Sequence, residues 1–329
     1  MGIVRILLFG DTHLGFDFPF KPRIKRPRRG HDFFANMDRV MAAAIKHRVD
    51  GVVHTGDLFY RSKVPQQLVD KVFEPIHRIA DKGIPVYIVP GNHERSAIPY
   101  SGFSRHPRVH VFDRPRTFTL VANGRTLALS GFPYEPKRIR DRFPEILAAT
   151  GWRQTLSDYR VLCMHHCVEG ATVGVHNYTF RYAPDVVRIA DIPHCYAAVV
   201  TGHIHRFQVL TGDLRDKSIP TPILYPGSTE RTSFAEKNEK KGYIILDITE
   251  GASPGGCLGQ WTFHPLPARP MIQLDMSVAR MSGSEIEAWV AATLREYPES
   301  SIVKISVHGT IRKGQEKIFS APILRSLAP

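Results

Sequence analysis

Short apolar runs that stop abruptly at polar residues recur along the first two-thirds of this chain of 329 residues. Residues 3–9 run into Gly10-Asp11-Thr12-His13, and residues 52–54 lead to Gly56-Asp57-Leu58-Phe59. Between them, 32–47 sets Phe33, Phe34, Met37, Val40, Met41 and Ala44 at the spacing of one buried helical face. A second amphipathic helix is expected over about 65–80, with a kink near Pro75, because an interior proline removes a helical hydrogen bond. A strand at 85–89 then leads into Pro90-Gly91-Asn92-His93-Glu94. The order β–α–β–α–β predicts a sheet of parallel strands covered by helices.

The pattern then changes. Short strands are expected at 109–112, 118–121 and 126–130, and buried ones at 160–166 and 197–205. Residues 222–228 and 242–248 read as further antiparallel strands, and the Gly-rich stretch 251–259 as a turn. From about His264 the strand-end motifs stop. A proline-dense stretch, 265–270, precedes a strand (271–275), a helix (284–296) and a strand (302–307). The boundaries drawn are a main domain at 1–264 and a small α+β appendage at 265–329.

The strand ends carry chemistry: Asp11 and His13; Asp57; Asn92 and His93; His165 and His166; His203 and His205. Parallel strands present their C-terminal ends along one edge, where ligands bind in open α/β sheets. The i, i+2 spacing of Asp11/His13 and of His203/His205 puts each pair on one side of an extended segment. Any one fragment has a plain explanation, since a lone buried His is usually a core residue and Gly-Asp or Gly-Asn is usually a turn. Five such fragments at five strand ends do not. Imidazoles, carboxylates and an amide oxygen form a mixed N/O set, which suits manganese, iron or zinc better than calcium or magnesium. Cys163 and Cys167 flank the His165-His166 pair and leave a Cys/His zinc site as an alternative.

The motifs GDTH, GDLF, GNHE, MHH and GHIH, in this order, resemble those of the calcineurin-like metallophosphoesterases, over about residues 1–210. The extensions DTHLGF, HTGDLF, VPGNHE, GHIHRFQ and YPGSTERTSFAE, with Arg269-Pro270, are similar to the nuclease subunits of double-strand-break repair, the SbcD and Mre-eleven group. That resemblance implies an α/β fold, a four-layer αββα sandwich with a small C-terminal DNA-contacting cap. It implies one metal ion on Asp11, His13, Asp57 and His205, and a second on Asp57, Asn92, His165 and His203. His165 is preferred to His166 because it aligns with the family's single His. His93 would stabilise the transition state and help protonate the leaving group, with His54 and Glu94 behind the ligands. Two ions sharing Asp57 would bind a phosphodiester oxygen, activate a water and steady the leaving oxygen. Tyr60 stands where these nucleases often carry a phosphate-contacting His, and its hydroxyl can donate a similar hydrogen bond.

Charge bears on the partner. Lys and Arg number 44 against 31 Asp and Glu, a formal net charge of +13, which favours a polyanion such as DNA. The run KPRIKRPRRG (21–30) holds six basic residues in ten and follows the first strand-end motif. Lys21, Arg23, Lys25, Arg26, Arg28 and Arg29 are therefore expected to rim the metal site and hold phosphates flanking the scissile bond. The expected activity is a dimetal-dependent DNA exonuclease or endonuclease in repair, most readily with manganese. The alternatives are a cyclic-nucleotide phosphodiesterase or phosphatase, and a non-catalytic scaffold. The resemblance also implies an SbcC or Rad-fifty-type ATPase partner and a homodimer. No apolar run reaches the roughly 18–20 residues that span a bilayer. The apolar start is broken by Arg5 and lacks a cleavage site, and the four cysteines show no CxxC pair. Free thiols, a cytoplasmic location and no membrane partner are expected.

Overall fold

The first apolar runs fold as their periodicity predicts in a computed structural model, which describes residues 2–18, 28–94, 106–251 and 254–328. Strand β1 (Val4–Phe9), helix α1 (Gly30–Lys46), β2 (Gly51–His54), α2 (Gln66–Asp81), β3 (Val86–Ile88) and β4 (Val109–Val111) follow one another. All four strands pair in parallel. The next elements are β5 (Arg116–Ala122), β6 (Arg125–Gly131), helix α3 (Ile139–Ala149) and β7 (Tyr159–Met164). Four two-residue strands come after them: β8 (Cys167–Val168), β9 (Thr172–Val173), β10 (Tyr178–Thr179) and β11 (Val186–Val187). The remaining strands here are β12 (Ala198–Thr201), β13 (Gln208–Gly212), β14 (Ser218–Tyr225), β15 (Gly242–Thr249) and β16 (Cys257–Pro265).

Two six-stranded sheets result, with orders β16-β15-β1-β2-β3-β4 and β13-β14-β12-β7-β6-β5. The two-residue period of a strand sends alternate side chains to opposite faces. In β1, Ile6 and Leu8 join Leu127, Leu129, Val161 and Val200 of the second sheet in one core. Leu7 and Phe9 point the other way, onto Phe33 and Met37 of α1 and Val72 and Ile76 of α2. Phe143, Ile146 and Leu147 of α3 cover the outer face of the second sheet at Leu162 and Val199. The layers are therefore α, β, β, α. Strands buried on both faces read as near-continuous apolar runs, as those in this sequence do.

Three elements depart from the sequence reading. Helix α3 was not anticipated, although Ile139, Phe143, Ile146 and Leu147 keep helical spacing and are all buried; Pro144 breaks the pattern to the eye but not the helix. Strand β14 is antiparallel to β13 but parallel to β12, because the chain turns back through β13 before it. Residues 257–259, read as turn, begin the edge strand β16, antiparallel to β15.

The chain divides into two units, one of Met1–Thr232 with Glu239–Pro267 and one of Ser233–Asn238 with Ala268–Pro329. The second holds β17 (Met271–Ser277), α4 (Gly283–Leu294), β18 (Ile302–His308) and α5 (Ala321–Leu327). Its two strands are parallel, as a connecting helix requires. Ser282 and Glu285 form a reciprocal capping box at the start of α4. Met276, Val278, Ile286, Val290 and Ile318 make this unit's own core.

Candidate metal centre

Five strand ends deliver the polar residues. β1, β2 and β3 of the first sheet lead to Asp11 and His13, to Asp57, and to Asn92 and His93; β7 and β12 of the second lead to His165 and to His203 and His205. The backbone bends sharply at these points. Asp11 (φ 47°), His13 (42°), Asp57 (54°) and His203 (79°) all adopt left-handed φ, which costs a non-glycine residue roughly 1–3 kcal/mol. Neighbouring loops hold the bends: Asp11 N–H donates to the Gly56 carbonyl at 2.8 Å, and His13 N–H to the Asp57 carbonyl at 2.9 Å. Gly56 has φ 113°, and a Cβ there would run into the His165 ring. A Cβ on Gly91 would meet the Asp57 carboxylate. The glycine before Asp57 thus lets strand ends of the two sheets close on one another, and the glycine before Asn92 does so for neighbouring strand ends of the first sheet.

Asp57 lies at the middle, 2% exposed. Its Oδ1 accepts from His93 N–H at 2.9 Å, and its Oδ2 lies 3.8 Å from His13 Nε2 and 3.5 Å from His165 Nε2. On one side, Asn92 Oδ1 is 3.1 Å from His165 Nε2 and 3.0 Å from His203 Nδ1. On the other, the Nε2 atoms of His13 and His205 converge to 2.9 Å, and His205 Nε2 is 3.9 Å from Asp11 Oδ1. The seven residues expected as ligands are thus brought together. Three overlapping triads, Asp11/His13/His205, His13/Asp57/His93 and Asp11/Asp57/His165, keep their donor atoms within 4.8 Å. Groups able to hold metal ions are therefore present.

The hydrogen bonds behind the donors decide which atoms face inward. His165 Nδ1–H donates to the Thr55 carbonyl at 2.7 Å, leaving Nε2 for the cluster. His166 turns away: its Nε2 accepts from Glu135 N–H at 3.1 Å, and its ring stacks on Tyr134 at 4.9 Å. His93 is more exposed than His13, His165 and His205, its side chain 32% accessible, and its Nδ1–H donates to the Tyr60 carbonyl at 2.6 Å. Glu94, 3% exposed, accepts from the backbone N–H of Asp57 (3.1 Å), Phe59 (2.8 Å) and Gly91 (2.6 Å), pinning the Asp57 loop to the Asn92 loop. His54 Nδ1 accepts from Gly56 N–H at 3.2 Å; burial, with His165 adding to it, lowers its ring to about 3.

The electrostatics of the cluster are those of crowded imidazoles around two carboxylates. Burial, then the neighbouring His165, lowers His203 to about 4. Burial and then His205 lower His13. At His165 burial also opposes the charged ring, but Asp57 and then Asp11 outweigh it and push it up to about 9. Asp57 is lowered: burial works against its charge, and His165 and His13 prevail. Asp11 is raised by burial, and its Oδ2 finds no hydrogen-bond partner among the described residues. A buried carboxylate oxygen without a donor, next to imidazole nitrogens at contact distance, is a donor set that a cation completes.

The predicted phosphate contacts are less settled by position. Lys21, Arg23, Lys25 and Arg26 lie outside the described residues. Arg28 is ion-paired with Asp17, and the Arg29 guanidinium donates to the Arg231 carbonyl and lies 5.1 Å from the Phe16 ring centroid. Tyr60 does stand beside the cluster, its ring centroid 6.1 Å from that of His13. Arg28, Arg29 and Tyr60, with Arg61 and Lys63, line a cavity of about 590 Å³. Cys163 and Cys167 are buried free thiols; burial raises Cys163 well beyond any role as a thiolate at neutral pH, and Cys167 to about 12.

Sequence reasoning missed the residues that hold His205. Thr232 Oγ1 lies 3.3 Å from His205 Nδ1. Lys241, 2% exposed, donates from Nζ to the His205 carbonyl at 2.8 Å and pairs with Glu239 at 2.9 Å. Glu239 also takes Arg206 Nε at 3.1 Å. Thr232 falls inside the PGSTERT stretch that the resemblance had marked, whereas Lys241 sits in a run of charge with nothing to single it out.

Known proteins resemble this chain over most of its length. The chain is 22% identical over 342 residues to "DNA double-strand break repair protein Mre11" of Thermoplasma acidophilum, covering 96% of this chain and 82% of that one. It is 37% identical over 312 residues to the Haloferax volcanii protein of the same name, covering 93% and 62%. It is also 28% identical over 249 residues to "Uncharacterized metallophosphoesterase YhaO" of Bacillus subtilis, covering 74% and 54%. The chain thus spans between about half and four-fifths of the length of these three relatives. Residues 4–207, from the first strand through both histidines of the last motif, match the description "Calcineurin-like phosphoesterase", and the chain belongs to that family.

Proposed function

We propose that this protein is a dimetal DNA nuclease of the Mre11 type, hydrolysing phosphodiester bonds at DNA ends in repair. The observation that carries the reading is the convergence of six donor residues around Asp57, with the 32%-accessible His93 beside them. Relatives named for double-strand-break repair that align with most of the chain support it, as does the net charge of +13. Asp11, His13, Asp57 and His205 would hold one ion and Asp57, Asn92, His165 and His203 the other. Asp57 would be shared. The mixed N/O donor set suits manganese, iron or zinc, and manganese is the ion proposed.

Two divalent ions held there supply the charge that polarises a phosphodiester and makes a water acidic enough to lose a proton near neutral pH. The chain's own groups do the rest. With Nδ1–H committed to the Thr55 carbonyl, His165 directs Nε2 inward, where a bound ion would take the place of its proton. His93 is oriented by the Tyr60 carbonyl, so a protonated ring offers its Nε2–H to the leaving oxygen or to a phosphoryl oxygen carrying new charge. Tyr60 Oη and the basic residues 21–29 would hold the flanking phosphates, and the second unit would add DNA contact. An ATPase of the Rad-fifty type and a second copy of the chain complete the proposed assembly.

The test uses manganese-loaded protein and end-labelled duplex DNA. Cleavage should be manganese-dependent, and His93→Ala should abolish it while elemental analysis still finds bound metal. Rapid hydrolysis of small phosphodiesters with DNA left intact would favour a different phosphoesterase. The protein-bound state of Arg28 and Arg29 is the observation that keeps this second reading open.

A further inference from the structure

A small exposed apolar surface stands directly beside the His205 loop. Strands β9 and β10 form a hairpin in which Tyr178 pairs across from Val173. Val173, Val175 and Tyr178 are 36%, 67% and 62% exposed, although such residues are ordinarily buried. The turn between them is closed by Asn177 N–H donating to the Gly174 carbonyl at 3.2 Å.

This surface is held stiffly. Arg206, the residue after His205, donates from Nη1 to Asn177 Oδ1 and from Nη2 to the Gly174 carbonyl, both at 2.7 Å. Its Nε is paired with Glu239, which also holds Lys241 behind His205. At the root, Gln208 accepts from Thr172 N–H at 2.8 Å and donates to the Thr172 carbonyl at 3.0 Å. The segment 206–208 therefore straps the hairpin at tip and root to the loop that carries His205.

Resting on the nuclease reading, we propose that the Val173–Tyr178 face, beside the exposed Val175 of the turn, stacks on unpaired bases of the DNA strand next to the scissile phosphate. Three side chains cannot cover the roughly 800 Å² that a stable protein partner buries on each side. A single nucleobase is matched in size, and a base presents its flat face only where the strand is unpaired. Stacking of a base on an aromatic ring contributes about 1–3 kcal/mol and tolerates any sequence. Arg206 is committed to the hairpin, so recognition here falls to the ring rather than to a phosphate contact. The enzyme should then prefer overhangs, flaps and frayed ends to blunt, hairpin-capped duplex.

The experiment measures binding of the manganese-loaded protein to matched overhang and capped blunt DNA, with 2-aminopurine placed in the overhang. Wild type should prefer the overhang and quench the probe. Tyr178→Ala should lower that preference about tenfold and lose the quench, and Tyr178→Trp should restore both. Equal weakening on both substrates, or no change in either readout, overturns the hairpin proposal. If wild type hydrolyses bis(4-nitrophenyl) phosphate but neither binds nor cuts DNA, the nuclease reading falls and this inference with it. If wild type cuts DNA and Tyr178→Ala keeps its preference, only the inference falls.

Discussion

The two flanks of Asp57 are built differently. On the inner flank, His165 is fully buried and its second ring nitrogen is fixed by the Thr55 carbonyl at 2.7 Å. Asn92 Oδ1 bridges His165 and His203, and Glu94 ties the underlying loops with three backbone bonds. On the outer flank, the His205 side chain is 27% exposed and its Nδ1 lies 3.3 Å from the Thr232 hydroxyl. Asp11 Oδ2 and His13 Nδ1 have no hydrogen-bond partner among the described residues. The Thr55 carbonyl and the Glu94 carboxyl preorganise the inner flank, whereas the outer flank would complete its geometry only with a bound ion. Removing what the flanks share should therefore hurt most, and loosening either one should hurt in a different observable.

Asp57→Asn is the largest expected effect. It removes the one carboxylate that both flanks use, so both ions should bind at least about a hundredfold more weakly, beyond what changes to supporting residues usually cost. Elemental analysis after reconstitution, alongside DNA cleavage, reads it directly. Retention of one ion at full affinity would show that Asp57 is not shared.

Glu94→Gln probes the support beneath Asp57 and the inner flank. A glutamine offers one acceptor oxygen and a donor NH2 where three backbone N–H groups now converge, so at least one buried bond is lost. The metal-free protein should be destabilised by about 1–3 kcal/mol, visible as a lower melting temperature. An unchanged melting temperature would mean that the Asp57 and Asn92 loops are held by something else.

The contrast also explains what the sequence could and could not show. The donors were legible because each ends an apolar run, and the strand-end edge of a parallel sheet is a general place for ligands. The helix α1 face and the parallel order of β1, β2 and β3 were legible from periodicity alone. The choice between His165 and His166 was not, since both are buried and both lie beyond the end of β7. Only the Thr55 carbonyl on one side and Tyr134 with Glu135 on the other separate them in space. The supports were invisible for a like reason. Lys241 and Thr232 act through sequence-distant contacts at His205, and no local pattern encodes a contact that depends on how two sheets meet. The basic run was conspicuous in the sequence, yet charge shows a partner class and not where a guanidinium goes: Arg28 and Arg29 are turned to Asp17 and the Arg231 carbonyl.

Thr232→Val probes the outer flank. Losing a single hydroxyl behind His205 should weaken one ion about tenfold, the lower end for a supporting residue, and leave the other unchanged. Manganese titration should resolve one shifted and one unshifted equivalent. Two shifted equivalents would contradict the separation of the flanks.

The pH dependence of metal binding gives the smallest and most selective test. In the metal-free protein His165 is pushed up to about 9, against burial, by Asp57 and Asp11, so its ring is protonated at pH 7. Because that value lies above the roughly 6.5 of an unfolded histidine, the His165–Asp57 attraction stabilises the metal-free fold fully below about pH 6.5. It fades as pH rises through about 9. An ion needs the Nε2 lone pair and must displace that proton, so affinity on the inner flank should climb with pH by at most tenfold per unit and level off above about pH 9. His13 on the outer flank, lowered by burial and then by His205, has no proton to give up there. Calorimetry of manganese binding in buffers of different ionisation enthalpy should find about one proton released at pH 7, assigned to one ion only. A release shared equally by both ions would erase the distinction between the flanks, and an affinity still rising steeply above pH 9 would move the proton to some other group.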